Sequence, residues 1–315
     1  MTMKKNIDIS IIIPVFNAEK TVGSLINNLL KENVLSIELI IVNDGSTDKT
    51  KEVIKAFIDP RIIYLEQINK GVYAARNLAL KHQTGEWVIF LDADDSIGKD
   101  FLSHRLHLAK RENVDVLISN AYRLNTVSDK KSSIHKKQIY DKKISGHQWI
   151  NSCVANNEWP HYLWLQITRS SYIRDNCMTF HDGRSHKDIL WTMTLAEKNG
   201  SFYITNNHDY TYTINSSSIT NRNDYYDFRA IDYIDIISSI IKTANKTGNG
   251  EIRVSLLRHS LVEARHFLGL YRKKIKDRKN IKSLFKENVD LKDIFKGICS
   301  LSDFAFFLKL LVKML

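Results

Sequence analysis

The sequence predicts an α/β protein: a mostly parallel sheet flanked by helices, with a C-terminal helical extension. Three observations carry this. Apolar runs of strand length alternate with helical periodicities through residues 1–95. Three of the strand-to-helix junctions hold clusters of carboxylates and amides, and from about Tyr225 onward only helix-spaced apolar residues remain.

The first run, residues 9–15, is continuously apolar, as a strand buried on both faces must be. Residues 21–31 follow with Val22, Leu25, Ile26, Leu29 and Leu30 on one helical side. A second apolar strand, 37–42, runs into Asn-Asp-Gly-Ser; residues 47–57 read as a helix with Ser46 or Thr47 as N-cap. Residues 62–65 form a short third strand, 72–81 an Ala- and Leu-rich helix, and 87–91 a fourth strand ending in Asp-Ala-Asp-Asp. Beyond it, residues 99–111 read as helix, 114–118 as strand, 125–143 as a lysine-rich loop or exposed hairpin, and 162–168 as strand. Helices are expected at 170–176 and 188–197, and a strand at 210–214.

Composition narrows the class. At 315 residues with 43% hydrophobic and 26% charged content, the chain can bury one large core or two modest ones. Cys153, Cys177 and Cys299 are too scattered for a disulfide framework or zinc site, so a cytoplasmic setting is expected. The first ten residues lack the apolar core of a signal peptide, and no apolar stretch is long enough to span a bilayer. Of the net charge of +11, much sits at the C-terminus: residues 252–315 hold 15 Lys/Arg against 6 Asp/Glu. Those basic residues lie on helices without an aromatic stacking platform or a recognised motif, which argues against nucleic acid as a partner.

Ligands of a parallel sheet bind outside the carboxyl ends of its strands. The clusters at 17–19, 43–48 and 92–95 all follow apolar strands and are expected on one rim. Asp92 and Asp94, one residue apart in an extended turn, can share one hard cation, Mg²⁺ or Mn²⁺, completed by substrate phosphates. A plain Asp-rich turn capping the next helix is the alternative. Gly45 and Ser46 suit a turn and a cap; Asp44, on the strand side of the glycine, is placed to accept from a base N–H. Arg76 lies near a helix N-terminus that favours anions, and faces a base or phosphate unless it is a surface arginine.

Residues 10–19 (SIIIPVFNAE), 41–48 (IVNDGSTD), 69–77 (NKGVYAARN) and 90–95 (FLDADD) together resemble the family 2 glycosyltransferases, in the right order over about 95 residues. The resemblance implies a GT-A fold, a nucleoside-diphosphate sugar donor (usually a UDP-sugar) and inversion at the anomeric carbon. Residues 1–98 then form the nucleotide-sugar-binding half, 99–222 the acceptor-binding half, and 223–315 a basic helical region. It further implies that Pro14, Phe16 and Glu19 line the nucleoside pocket, that Asp44 holds the uracil, and that Arg76 contacts the base or nearby. Asp92, Ala93 and Asp94 meet ribose, metal and diphosphate, with Asp94 the direct metal ligand and Asp92 its companion.

Inversion by a single displacement needs a base on the acceptor hydroxyl. Family members carry a Glu-Asp pair at a helix head, and Asp188 matches the Asp; Lys187 stands where Glu is usual, which makes Asp182 the second candidate. A helix N-terminal carboxylate stabilised by the macrodipole, worth about 0.3–1 kcal/mol, is the plainer reading of Asp188. Trp191 either stacks on a sugar or belongs to the core. His181 and His186 read as exposed, and the Ser-Ile-Thr stretch within 212–220 reads as a lid near the diphosphate.

The expected function is transfer of a hexose from UDP-glucose, UDP-galactose or a UDP-N-acetylhexosamine to a lipid-linked oligosaccharide of a growing lipopolysaccharide, O-antigen or capsule. The alternative is a non-catalytic nucleotide-sugar-binding subunit of a glycan assembly complex, suggested by Lys187. The C-terminal run 304–315, apolar with Lys309 and Lys313, suits either an anionic membrane surface or docking on the core.

Overall fold

Strand β1 (Ile9–Val15) and strand β2 (Ile37–Asp44) are buried along their whole length, which explains their unbroken aliphatic sequences. The computed structural model describes residues 6–33, 35–125, 130–214 and 225–314; the 215–220 part of the expected lid lies outside the described residues. With β3 (Ile62–Gln67) and β4 (Trp87–Phe90), the first two strands form a parallel unit ordered β3-β2-β1-β4. Helices α1 (Val22–Leu30), α2 (Thr50–Lys55) and α3 (Val72–Leu80) make the crossovers. Helix α2 starts later than expected: neither Ser46 nor Thr47 caps it, and Asp48 Oδ1 takes the Thr50 N–H at 3.0 Å.

The sheet continues past β4 without a break. Helix α4 (Phe101–Glu112) leads into β5 (Val116–Asn125), β6 (Lys130–Ser133) and β7 (Lys142–Ser145). Helix α5 (Gly146–Asn156), β8 (Gln166–Arg169), helix α6 (Ser170–Asp175), helix α7 (Asp188–Glu197) and β9 (Ser201–Ile214) complete it. Strand β8 is antiparallel to both β4 and β5, β5 and β9 are parallel, and β6 and β7 add antiparallel edges. The parallel character therefore belongs chiefly to the first four strands.

Besides the later start of α2, and β5 running on to Asn125 rather than ending at 118, two more elements differ from the sequence expectation. Strand β9 begins at Ser201 rather than 210, because polar Asp209 is accommodated by the fully buried Arg105, whose Nε donates at 2.8 Å. Helix α5 was not expected, although Ser145 and Gln148 form a capping box at its start.

After Tyr225 the chain is helical throughout its described length: α8 (Tyr225–Lys246), α9 (Gly250–Lys273), α10 (Arg278–Asn288), α11 (Leu291–Lys296) and α12 (Leu301–Met314). Helix α9 packs on α5, and α8 packs on α7. Helix α12 docks through Phe306, Phe307, Leu310 and Met314 but leaves Leu301, Phe304, Leu308 and Val312 facing solvent. No helix among the described residues is long and apolar enough to cross a membrane.

Candidate functional site

The strand order reverses at β1: the chain proceeds to β2 and β3 on one side, then returns to place β4 on the other. Such a switch point opens a crevice at the carboxyl ends of the two central strands. A cleft of about 500 Å³ lies there, lined by Phe16, Ala18 and Glu19 after β1, Ala93 and Asp94 after β4, and Asp48. Phe16 leaves 42% of its surface exposed, an apolar wall on an otherwise polar cleft. Pro14 is buried at the end of β1, past the last β4 pair at Ile12. Glu19 Oε2 accepts the Lys49 N–H at 3.0 Å and ties the β1 loop to the start of α2.

Asp44 ends β2 and is turned to the 67–71 loop rather than lining this cleft. Its Oδ1 accepts from Gln67 Nε2 at 2.7 Å and the Lys70 N–H at 2.8 Å, and its Oδ2 accepts the Gly71 N–H at 2.8 Å. A carboxylate oxygen has two lone-pair sites, so Oδ2 keeps one for a further donor. Asp44 thus fastens the head of α3. Gly45 permits the close approach: its φ is +72°, and a Cβ would meet the Asn69 backbone nitrogen at 2.8 Å.

Helix α3 carries the next two parts. Arg76 is buried, not a surface arginine, and its guanidinium donates to Asp92 Oδ1 at 2.8 Å. Its Nε is buried without a partner. The Asp92 side chain is 45% exposed, next in sequence to Ala93 and Asp94 of the cleft wall. Burial and the Asp94 and Asp188 charges push its pKa up against the opposing pull of Arg76. Asp94 and Asp188 therefore both lie within electrostatic reach of Asp92. Asp94 has no hydrogen-bond or ion-pair partner among the described residues. Asp95 supplies the turn: its Oδ2 accepts the Asp92 N–H at 2.7 Å, and its Oδ1 accepts the Tyr210 hydroxyl. Burial, then the Asp92 charge, raises the Asp95 pKa well above the carboxylate range.

Tyr73, one turn before Arg76, connects the donor-side motifs to α7. Its hydroxyl accepts the Lys187 N–H at 2.9 Å and donates to Asp188 Oδ1 at 3.0 Å. Burial and the neighbouring Asp188 charge raise the Tyr73 pKa far up, so it stays a donor. Sequence reasoning missed this residue, although the i, i+3 spacing to Arg76 puts both on one helix face. Lys187 points the opposite way. Its side chain is 1% exposed, 3.5 Å from Asp232 Oδ1 and in contact with Asp235 Oδ2, both on α8. Asp232 also takes the Ser185 N–H at 2.9 Å and the Arg184 N–H at 3.1 Å. Asp182, by contrast, is exposed in an outer groove with Asn77 and Arg174. Trp191 is core: it stacks on Phe180 at 4.1 Å and is 2% exposed. His181 is exposed as expected, whereas His186 is tucked against the Tyr233 ring.

Among the described residues no group of three or more His, Cys, Asp and Glu forms a metal cage. The donor set instead fits a hard cation held by two carboxylates and completed by water and phosphate. Asp94 is unpaired, Asp92 has only Oδ1 committed to Arg76, and their mutual repulsion is of the kind a cation relieves.

A parallel βα unit continued into a mixed sheet, with carboxylates at its switch point, defines the class. Its profile, Glycosyl transferase family 2, matches residues 10–161. An uncharacterized glycosyltransferase of Haemophilus influenzae is 42% identical over 222 residues, 60% of this chain and 88% of its own length. The chain belongs to glycosyltransferase family 2. It is also similar to the Escherichia coli UDP-Glc:alpha-D-GlcNAc-diphosphoundecaprenol beta-1,3-glucosyltransferase WfgD, 32% identical over 185 residues, 52% of this chain and 71% of WfgD. Staphylococcus aureus TarS 1–349 in complex with UDP-GlcNAc shares the fold, with a TM-score of 0.74 at 20% identity over 98% of this chain and 88% of that one. The GT-A expectation is met. The chain spans 63%, 17% and 42% of the length of three other curated relatives that it matches.

Proposed function

We propose that the chain is an inverting hexosyltransferase that moves a sugar from UDP-glucose, UDP-galactose or a UDP-N-acetylhexosamine to a hydroxyl of a growing surface glycan. The gathering of Arg76, Asp94 and Asp188 around Asp92, beside the switch-point crevice that Asp94 lines, carries this reading. Phe16 walls the nucleoside, with Pro14 and Glu19 shaping the pocket, and the base extends past the cleft to the neighbouring end of β2, where the spare site on Asp44 Oδ2 receives a uracil N–H. Arg76, paired with Asp92, places its positive charge near the base or the diphosphate. Asp92 and Asp94, flanking Ala93, are the residues that would hold Mg²⁺ or Mn²⁺. When bound, such a cation offsets negative charge on the diphosphate leaving group.

Asp188 is the base. With Oδ1 held by Tyr73, Oδ2 takes the acceptor hydroxyl proton as that oxygen attacks the anomeric carbon from the side opposite the departing UDP. Support for catalysis rather than binding alone comes from Lys187, whose charge is matched on α8 and not directed at the crevice. The lipid-linked acceptor named in WfgD supports the same acceptor class here, and with it a cytoplasmic site of action at the membrane. The exposed apolar face of α12 with Lys309 and Lys313 suits peripheral contact with an anionic leaflet.

The test is Asp188→Asn. Turnover measured by UDP release with acceptor should fall by about 10²–10⁴, while UDP-sugar binding stays intact. Full turnover in this variant would refute the base. UDP-sugar binding by the wild-type protein without product across a broad acceptor panel would favour the non-catalytic subunit instead.

A further inference from the structure

Between the base helix and the C-terminal helices lies a second cavity that the transfer chemistry leaves unused. Its volume is about 140 Å³, and its walls include Trp159, His161, Ile189, His259, Glu263 and His266. At about 30 Å³ per water it has room for about five waters, the scale of one pyranose ring rather than a nucleotide. It opens to solvent beside His266, whose side chain is 58% exposed.

The polar groups in it are built, not incidental. The Glu263 side chain is 4% exposed; His266 Nδ1 meets its Oε2 at 3.0 Å, and His259 Nδ1 lies 3.7 Å from its Oε1. His259 is buried and its Nε2 has no partner. Leaving such a nitrogen unpaired costs about 1–3 kcal/mol, so the site calls for a hydrogen-bonding occupant. Burial, helped by His266 and His161, holds His259 down to about 4 despite Glu263, so its ring is neutral at ordinary pH. A buried carboxylate and a neutral imidazole beside the apolar Ile189 match a ring that presents hydroxyls at its edge and C–H groups on its face. An anionic occupant would meet Glu263.

Position ties this cavity to the crevice. Ile189 follows Asp188 directly on α7. His161 stacks on Tyr162 at 4.7 Å, Tyr162 on Trp164 at 5.1 Å, and Trp164 on Tyr210 at 4.1 Å. Tyr210 in turn donates to Asp95, so one aromatic strip runs from the cavity to the aspartate turn. We propose that the cavity is an acceptor subsite that holds an uncharged pyranose unit of the acceptor glycan. This rests on the transferase reading above.

The experiment is saturation-transfer NMR on the full chain with UDP present to fill the donor crevice. The probes are methyl β-D-glucopyranoside, methyl β-D-galactopyranoside and methyl N-acetyl-β-D-glucosaminide. At least one should receive saturation and shift the His259 imidazole resonances. Val262→Phe, which fills the cavity, and Glu263→Gln, which removes its charge, should each weaken that glycoside by about tenfold, with UDP affinity unchanged as the check on folding. No saturation of any probe in a protein that binds UDP would overturn the subsite and leave the donor site standing, as would His259 resonances that stay unmoved. Failure of UDP itself to bind would instead overturn the transferase reading.

Discussion

At the scale of single residues, Tyr73 decides the geometry of the crevice. One hydroxyl holds both the Lys187 N–H and the Asp188 carboxylate, so the helix carrying Arg76 also aims Asp188, the proposed base. Tyr73→Phe leaves a buried N–H without a partner, at a cost of about 1–3 kcal/mol. It should lower both the thermal midpoint and kcat while leaving the KM for UDP-sugar close to wild type; an unchanged kcat would remove Tyr73 from the positioning role. The sequence showed Tyr73 only as part of a helix, since its partner lies 115 residues away in the chain. The strand-end position of Asp44 was visible, but its hold on the head of α3 was not, because Gln67, Lys70 and Gly71 reach it only after the β2–β3 ladder forms.

At the scale of elements, α8 belongs with α7 in packing, although it lies beyond the sheet in sequence. Lys187 would be an uncompensated buried charge without it, and Gly183 must be glycine because a Cβ there would collide with the Lys187 side chain and Asp232. Asp232→Ala removes one partner of a buried pair and frees the Arg184 and Ser185 N–H groups, an expected loss of about 3–5 kcal/mol. Asp235, with its side chain 49% exposed, should cost only about 0–1 kcal/mol on the same change, as surface pairs do. Denaturant melts of the two variants test this, and equal losses would contradict the assignment. Helix α12 poses a different question, because it docks by one face and exposes another. Leu308→Asp with Val312→Asp should leave the fold intact and reduce co-sedimentation with anionic phosphatidylserine vesicles; undiminished binding would exclude the membrane contact. The elements read well from sequence wherever burial was two-sided, as in β1, β2 and β4. Helix α5 and the first half of β9 were hidden by polar residues whose partners, such as Arg105 for Asp209, come from elsewhere in the fold.

At the scale of the whole molecule, three buried histidines link stability to pH. His135, His186 and His259 are each pushed by burial from 6.5 to about 4, and are neutral in the folded chain. Between those two pH values the unfolded chain binds more protons, so stability falls as pH drops from about 6.5 towards 4 and these groups add no further loss below that. Thermal midpoints across that range should track this, and a midpoint insensitive to pH there would contradict it. The parallel unit and its carboxylate rim were legible in the sequence because the chain writes each strand and its site residues side by side. The surroundings of Asp188 were not, because they are assembled from α3, α7 and α8 across the fold. The most direct test of the carboxylate crevice is calorimetric titration of UDP in Mn²⁺ and in EDTA, for the wild-type chain and for Asp94→Ala. Wild-type affinity should fall by about tenfold or more on removing the metal, a change of about 1.4 kcal/mol, and the variant should bind weakly in both. Equal wild-type affinity with and without Mn²⁺ would contradict the account.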